Sequence, residues 1–450
     1  MSFRSNTSNT VFALKRARYE EQEQTKIGAP VLVLSVLITS YFYCVPLARL
    51  ESAGTDWRIY DIVFALFFLF FGLHFLPRLQ QLFKDRNTFL YWAGLLLVMV
   101  WLSLILTVGI GGMSRLPPAI IRSIRFSAYF FTAGFVVLLA DTPRRYRFLF
   151  GVIYINIATQ AVLAFAQGMG RLGSFWPVYY TAIYGVLPVG TLSPHHKQIG
   201  VVMLLGISMS LTLLRSKSGA LRVVVLGLLA IMVMVPIFAK SRTAWLGFAF
   251  LFAGYVFINR QQSIRILLAV GVGLMVIFTV GSNSLVSVLQ DNVNEVFIDR
   301  YERLGFEGIA GDRLLVYDNY PDAIAKSPWV LLTGVGFQNV LKFISAAGAH
   351  NNYAQAWFEL GIFGFVFYMR MLFSVLKSLR STADVTESCF ERAAAQDAWA
   401  AFIAVMATML VGETLWAQSS MYTLTGQIMT YMALAAAPLH YPSFAKKEQK

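Results

Sequence analysis

Apolar runs recur along the whole chain, and no other feature constrains its fold as strongly. Ile62 to Leu76, Leu95 to Leu106 and Ile266 to Val280 are examples, each lying near Lys, Arg, Gly or Pro. That is the pattern of bilayer-spanning helices and their flanks. Of 450 residues, 57% are hydrophobic and only 13% charged, whereas a soluble domain carries roughly a quarter charged residues. Such a chain cannot cover a soluble surface, and the expected fold class is an all-α polytopic membrane protein with about 12 transmembrane helices.

The hydropathy pattern predicts spans at 27–47, 58–77, 88–110, 119–140, 148–167, 198–215, 221–239, 244–258, 266–280, 352–376, 397–416 and 421–440. With both termini in the cytoplasm, the inner segments hold 22 Lys and Arg and the outer segments 12, while Arg122, Arg125 and Arg370 lie within helices. Positive charge accumulates on the cytoplasmic side of membrane proteins, so the asymmetry supports this orientation. The chain then divides into a cytoplasmic tail (1–26), a transmembrane catalytic domain (27–440) and a cytoplasmic C-terminal tail (441–450). Two periplasmic loops, 168–197 and 281–351, are longer than a simple connection requires. In the second, Val286, Leu289, Val293, Val296, Phe297, Tyr301 and Leu304 recur at helical spacing, which predicts an amphipathic surface helix. A second helix, broken at Pro321, and the Gly-rich turn Thr333 to Phe337 follow it.

A net charge of +14 raises the possibility of nucleic-acid binding. The basic residues are scattered between apolar segments, however, and do not form the clustered stripe such a face requires. Anchoring to membrane lipids with anionic headgroups explains them better, and no nucleic-acid partner is expected. Cys44 and Cys389 map to opposite sides of the membrane, so no intrachain disulfide is expected. The first 26 residues are polar and basic with no apolar stretch before them, which does not fit a cleavable signal peptide.

The residues able to carry chemistry gather at the outer boundary. His350, in Ala349-His350-Asn351-Asn352-Tyr353, directly precedes the tenth span, with Asn351 or Asn352 suited to cap that helix. The positive end of a helix dipole disfavours imidazolium and favours a neutral ring able to accept a proton, as a general base requires. The alternative is an interfacial histidine bonded to nearby backbone. Lys240, Arg242, Arg313, Arg122 and Arg125 form a cationic set at the same boundary. An Arg within a lipid-facing helix needs a partner, and guanidinium forks bind phosphate oxygens bidentately, so a diphosphate would suit. Snorkelling to headgroups competes as an explanation for Arg122 and Arg125. His195, His196 and Lys197 end the other long loop. With no HExxH or CxxC spacing and no Cys nearby, they read as a polar lining for glycan or phosphate, with no metal expected. Glu359 and Glu413 lie at membrane depth and call for partners, which these cations could supply. Gly334 to Gly336 lacks the strand-turn-helix context and the Lys of a nucleotide loop, so ATP hydrolysis is not indicated and no cofactor is expected.

The string HNNYAQAWFELGIFG, residues 350 to 364, resembles the signature of the O-antigen ligase and O-antigen polymerase superfamily of bacterial polysaccharide assembly. In it, His350 and an Asn are followed after nine residues by Gly361 and then Gly364. Ser241-Arg242, Asp312-Arg313 and the stretch SPWVLLTGVGF are also similar to the family pattern, and the resemblance covers about residues 190 to 415. His195 to Gln198 depart from the commoner Asn-containing form. The resemblance implies an inverting, metal-independent glycosyltransferase on the periplasmic face of the bacterial inner membrane, using an undecaprenyl diphosphate-linked glycan as donor. By that carry-over His350 activates an acceptor hydroxyl, and Arg242 and Arg313 bind the diphosphate. Arg122 and Arg125 are further diphosphate candidates. Lys197, His195, His196, Lys240, Asn351 and Tyr353 are weaker candidates for substrate contacts.

Two acceptors fit the resemblance: lipid A-core, which makes the protein an O-antigen ligase of lipopolysaccharide biosynthesis, or a second lipid-linked glycan, which makes it a polymerase. The His signature favours the ligase. The interval from Arg300 to Gly311 echoes a spacing of some polymerases. A transporter of lipid-linked sugars is a more distant alternative, since transporters place charges near the midplane of repeated halves and no repeat is visible here.

Overall fold

The computed structural model describes residues 27–50, 55–178, 181, 188–193, 196–216, 218–258, 271, 313–340, 351–412, 414–416 and 422–444. Among these the protein is an all-α polytopic membrane protein. Seven helices are long and apolar enough to cross a bilayer, and Ala29–Ser40 and Arg242–Ile258 are shorter apolar helices. The predicted span at 266–280, apart from residue 271, and the amphipathic helix before residue 305 lie outside the described residues.

The helices are α1 (Ala29–Ser40), α2 (Ile59–Lys84), α3 (Phe89–Leu102), α4 (Leu104–Gly111), α5 (Leu116–Leu139), α6 (Pro143–Gly168), α7 (His196–Ser216), α8 (Ala220–Phe238) and α9 (Arg242–Ile258). They continue as α10 (Arg313–Lys326), α11 (Val330–Thr333), α12 (Asn352–Val385), α13 (Cys389–Thr408) and α14 (Tyr422–Ala436). Before α2, a ribbon of two short antiparallel strands, Ala48–Leu50 and Thr55–Trp57, joins the chain to itself. Three-residue strands leave no periodicity to detect, and the sequence gives no sign of them.

The interior helices are α7 and α5, 78% and 72% buried over their most apolar windows, whereas α2 is only 17% buried and lies at the periphery. α13 packs against α7 and α9, α14 against α5, and α12 against α3. Small residues allow this close approach. A side chain at Gly247 of α9 would collide with Leu204 of α7, and one at Gly206 of α7 with Ile157 and Met232. Such contacts drive helix association where lipid supplies no hydrophobic gain.

Hydrogen bonds join connecting segments at both ends of the bundle. Cys44 donates its amide to Thr191 O at 2.9 Å, joining two segments assigned to one side. Ser443 Oγ donates to Asp141 O at 2.9 Å, joining two assigned to the other. Both cysteines are free.

Pro321 does not break its helix: α10 runs continuously from Arg313 to Lys326 with Pro321 inside. The proline is on the exposed side, where a carbonyl robbed of its amide partner can be solvated. The break falls instead in α12, at Gly361, whose φ of 67° and ψ of −170° are not helical.

Candidate functional site

The break in α12 organises one end of the bundle. Interrupting the helix at Gly361 frees the carbonyls of Phe358 and Glu359, which inside a membrane protein must find other donors. The Gly-rich turn supplies them: Val335 N donates to Phe358 O at 2.8 Å and Gly336 N to Glu359 O at 3.0 Å. Gly334 and Gly361, both at positive φ, approach so closely that a Cβ on either would strike the other strand's backbone. The same turn reaches the junction of α3 and α4. Phe337 N donates to Ser103 Oγ at 3.1 Å, and Thr107 Oγ1 donates to Phe337 O at 3.1 Å. The turn that does not fit a nucleotide loop is thus the brace of a broken helix.

Ahead of the break stands the short helical segment 352–360. Asn351 caps it, its Oδ1 accepting from Tyr353 N at 2.9 Å and Ala354 N at 3.1 Å. A cap of this kind is worth about 1 kcal/mol. Asn352, fully buried, does something else. Its Oδ1 accepts from Thr414 N at 2.5 Å and Leu415 N at 3.0 Å, and its backbone N–H donates to Met409 O at 2.9 Å. The two asparagines therefore divide the work, one fixing the helix start and the other clamping it to the connection between α13 and α14. Tyr353 spends its hydroxyl on Met406 O at 2.9 Å. His350 lies outside the described residues; its chain neighbour is the capping Asn351.

The α13–α14 connection also borders the start of α9. A Cβ on Gly412 would sit 3.6 Å from Thr243 Cγ2, next in sequence to Arg242. Ser241, on the other side of Arg242, is buried against Gly200 in the first turns of α7. His196 and Lys197 belong to that first turn, though their side chains and all of His195 lie outside the described residues. Gln198 Nε2 donates to Thr423 Oγ1 at 2.7 Å, tying α7 to α14. The backbone around Arg242, the start of α7 and the start of α12 thus meet at one end. Several buried polar atoms there have no partner among the described residues: Gln198 Oε1, Ser241 Oγ, Asn352 Nδ2 and Gln355 Oε1. Groups of that kind are uncommon and mark places where a ligand or water completes the bonding.

Arg313 opens α10, and its side chain lies outside the described residues. That helix leans on the same short segment, with Tyr320 edge-on to Phe358 at 5.2 Å. Arg122 donates from Nη1 to Gln338 Oε1 at 2.6 Å, an interaction with the Gly-rich turn. Arg125, one turn further along α5, is differently employed. Its Nε and Nη2 grip Asp61 at 2.9 and 2.7 Å, a third bond goes to Asp56 O, and its guanidinium lies 5.6 Å from the Tyr60 ring centre. The intramembrane partner that this arginine requires is a carboxylate of the same chain.

Lys240 adds a further constraint. With φ of 51° it closes α8 in the left-handed region, where Lys240 N donates to Ile237 O and Ser241 N to Pro236 O, both at 3.0 Å. Gly usually holds that position. Among the described residues the non-glycine positions at positive φ are Lys240 and Gln338, and both are at this end. Strain of this sort clusters at functional sites.

Glu359 takes its hydrogen bonds from neutral donors, while one of the cations expected from sequence, Arg122, acts on it through charge alone. Trp416 Nε1 donates to its Oε2 at 2.8 Å and Gln355 Nε2 to its Oε1 at 3.2 Å. Glu413 lies outside the described residues. Sequence reading missed Asp61, Gln338 and Trp416. A lone acid in an apolar run, as Asp61 is, was the available signal.

The fold and this end define a polytopic membrane protein with a polar, hydrogen-bonded site around a broken helix. Residues 227–369 match the family model described as O-Antigen ligase, and this match supports the resemblance to the O-antigen ligase and polymerase superfamily. The matched segment contains Arg242, Arg313, His350 and the break at Gly361. No curated protein matches the chain.

Proposed function

We propose that the protein transfers a glycan from an undecaprenyl diphosphate carrier to an acceptor hydroxyl at the periplasmic face of the bacterial inner membrane. As the specific reading we take an O-antigen ligase with lipid A-core as acceptor. One observation carries this: Asn351 and Asn352 fix the chain directly after His350 onto the α13–α14 connection, which borders Thr243 beside Arg242. The backbone that follows His350 and the backbone beside Arg242, from distant parts of the sequence, are thereby held at one end of the bundle.

In this mechanism His350 accepts the proton of the acceptor hydroxyl. The hydroxyl oxygen forms a bond to the anomeric carbon as the bond from that carbon to the diphosphate oxygen breaks. The electron pair leaves with the diphosphate, and a single displacement inverts the configuration. General-base assistance is worth about 10²–10⁴-fold. Arg242 and Arg313 stabilise the negative charge that develops on the leaving group, with Lys240, Lys197, His195 and His196 around it. Arg122, held by the Gly-rich turn, faces the same donor. Arg125 acts through Asp61 to position α5. Because the donor already carries a good leaving group, the step needs neither nucleotide nor metal.

The test is transfer by purified protein given lipid-diphosphate glycan and lipid A-core, without ATP. A new glycoside on lipid A-core is expected. Product only on a second lipid-linked unit would replace the ligase reading with a polymerase one, and no product on either would overturn both.

A further inference from the structure

We propose that a cleft at the opposite end of the bundle, between α6, α7, α8 and α13, binds an anionic glycerophospholipid of the adjoining leaflet. The cleft has a volume of about 820 Å³, within the size range of ligand sites. Phe150, Ile155, Leu213, Val224 and Leu228 form its apolar wall, and Arg147, Arg215 and Ser388 its polar margin.

The arginines are held in place by design of α13. Arg147 Nε lies 2.9 Å from Glu391 Oε1, and Arg215 Nη2 lies 2.8 Å from Asp397 Oδ1; both carboxylates are fully buried. Glu391 also accepts from Ser388 Oγ, and Arg147 rests 5.5 Å from the Phe390 ring centre. These contacts fix the guanidinium planes at the cleft margin, while Arg147 remains 55% exposed. The two carboxylates neutralise two cations. Arg144, three residues before Arg147, and Arg222, three before Val225, are exposed on the same helices and, without lining the cleft, add positive charge beside it.

This combination selects the occupant. A free phosphate would gain nothing from the apolar wall, and an uncharged lipid nothing from the arginines. A phosphatidylcholine headgroup brings its own cation against a cationic margin. An anionic phospholipid uses both parts, its acyl chains on the wall and its phosphate at the guanidinium groups. The site is independent of the glycosyl-transfer reading.

Native mass spectrometry of the purified full chain, with phosphatidylglycerol or phosphatidylcholine added in mild detergent, tests this. Retention of phosphatidylglycerol over phosphatidylcholine is expected. Gly151→Trp fills the cleft at a position where an added Cβ meets no atom within 4 Å, and about tenfold less bound phosphatidylglycerol is expected. Arg144→Gln with Arg222→Gln leaves both buried pairs intact, and should weaken the preference by about fivefold per charge removed. Equal retention of the two lipids by the wild type would overturn the proposal, as would undiminished phosphatidylglycerol binding in the double Gln variant. If Gly151→Trp does not fold, the double variant alone decides.

Discussion

The two ends of the bundle are held together by different chemistry. At the Arg147 end, buried carboxylates of α13 neutralise guanidinium groups of α6 and α7. At the Asn351 end, the elements are joined largely by neutral amides and hydroxyls: Asn351, Asn352, Gln198, Thr423 and the Gly-rich turn. Arg125 pairs with Asp61 there, one turn away from Arg122, whose bond to Gln338 is to a neutral oxygen. Ion pairs hold the Arg147 end together by fixing Arg147 and Arg215, while the exposed Arg144 and Arg222 leave positive charge beside them. At the Asn351 end the clamps are hydrogen bonds that fix the backbone beside Arg242 and the start of α12, the preorganised frame that a diphosphate site requires.

If that contrast is right, breaking a pair costs stability and removing a site cation costs activity. The largest effect is expected from Arg215→Ala, which strands Asp397 as an unpaired buried carboxylate and should cost about 3–5 kcal/mol. A lowered melting temperature in detergent reads this out, and an unchanged one would remove the distinction between the ends. Next come Arg242→Ala and Arg313→Ala. Each should lower turnover by about 10²–10³-fold, the usual effect of removing a donor aimed at developing charge, with a smaller change in melting temperature. Lys should rescue only in part, because it lacks the bidentate fork; full rescue would argue against that geometry. Smallest is Lys240→Gly, which relieves a left-handed lysine and should stabilise the protein by about 1 kcal/mol while reducing activity. A rise in melting temperature with full activity would show the strain to be unrelated to function.

Much of the fold was legible because spanning helices announce themselves in long apolar runs, and starts such as Ala220 or Phe89 fell beside the expected positions 221 and 88. The capping role at Asn351 was also legible, since Asn at a helix start has a local cause. What resisted reading were effects between distant segments. Pro321 looks like a breaker from its own chemistry but sits exposed in a continuous helix, whereas Gly361 breaks α12 because the turn at Gly334 to Gly336 is there to receive its carbonyls. Glu359 invited a cation and found Trp416 and Gln355. Arg125 invited a diphosphate, and Asp61, 64 positions away in sequence, occupies its fork. Candidate residues His350, His195 and the side chains of Arg313, His196 and Lys197 lie outside the described residues, so their roles rest on sequence and on the neighbours that hold them.

The most direct test is glycan transfer by His350→Ala beside the wild type, in purified protein of matched melting temperature. The account expects the variant to bind lipid-diphosphate donor normally and to lose transfer by about 10²–10⁴-fold. Transfer at near wild-type rates in that variant would contradict it.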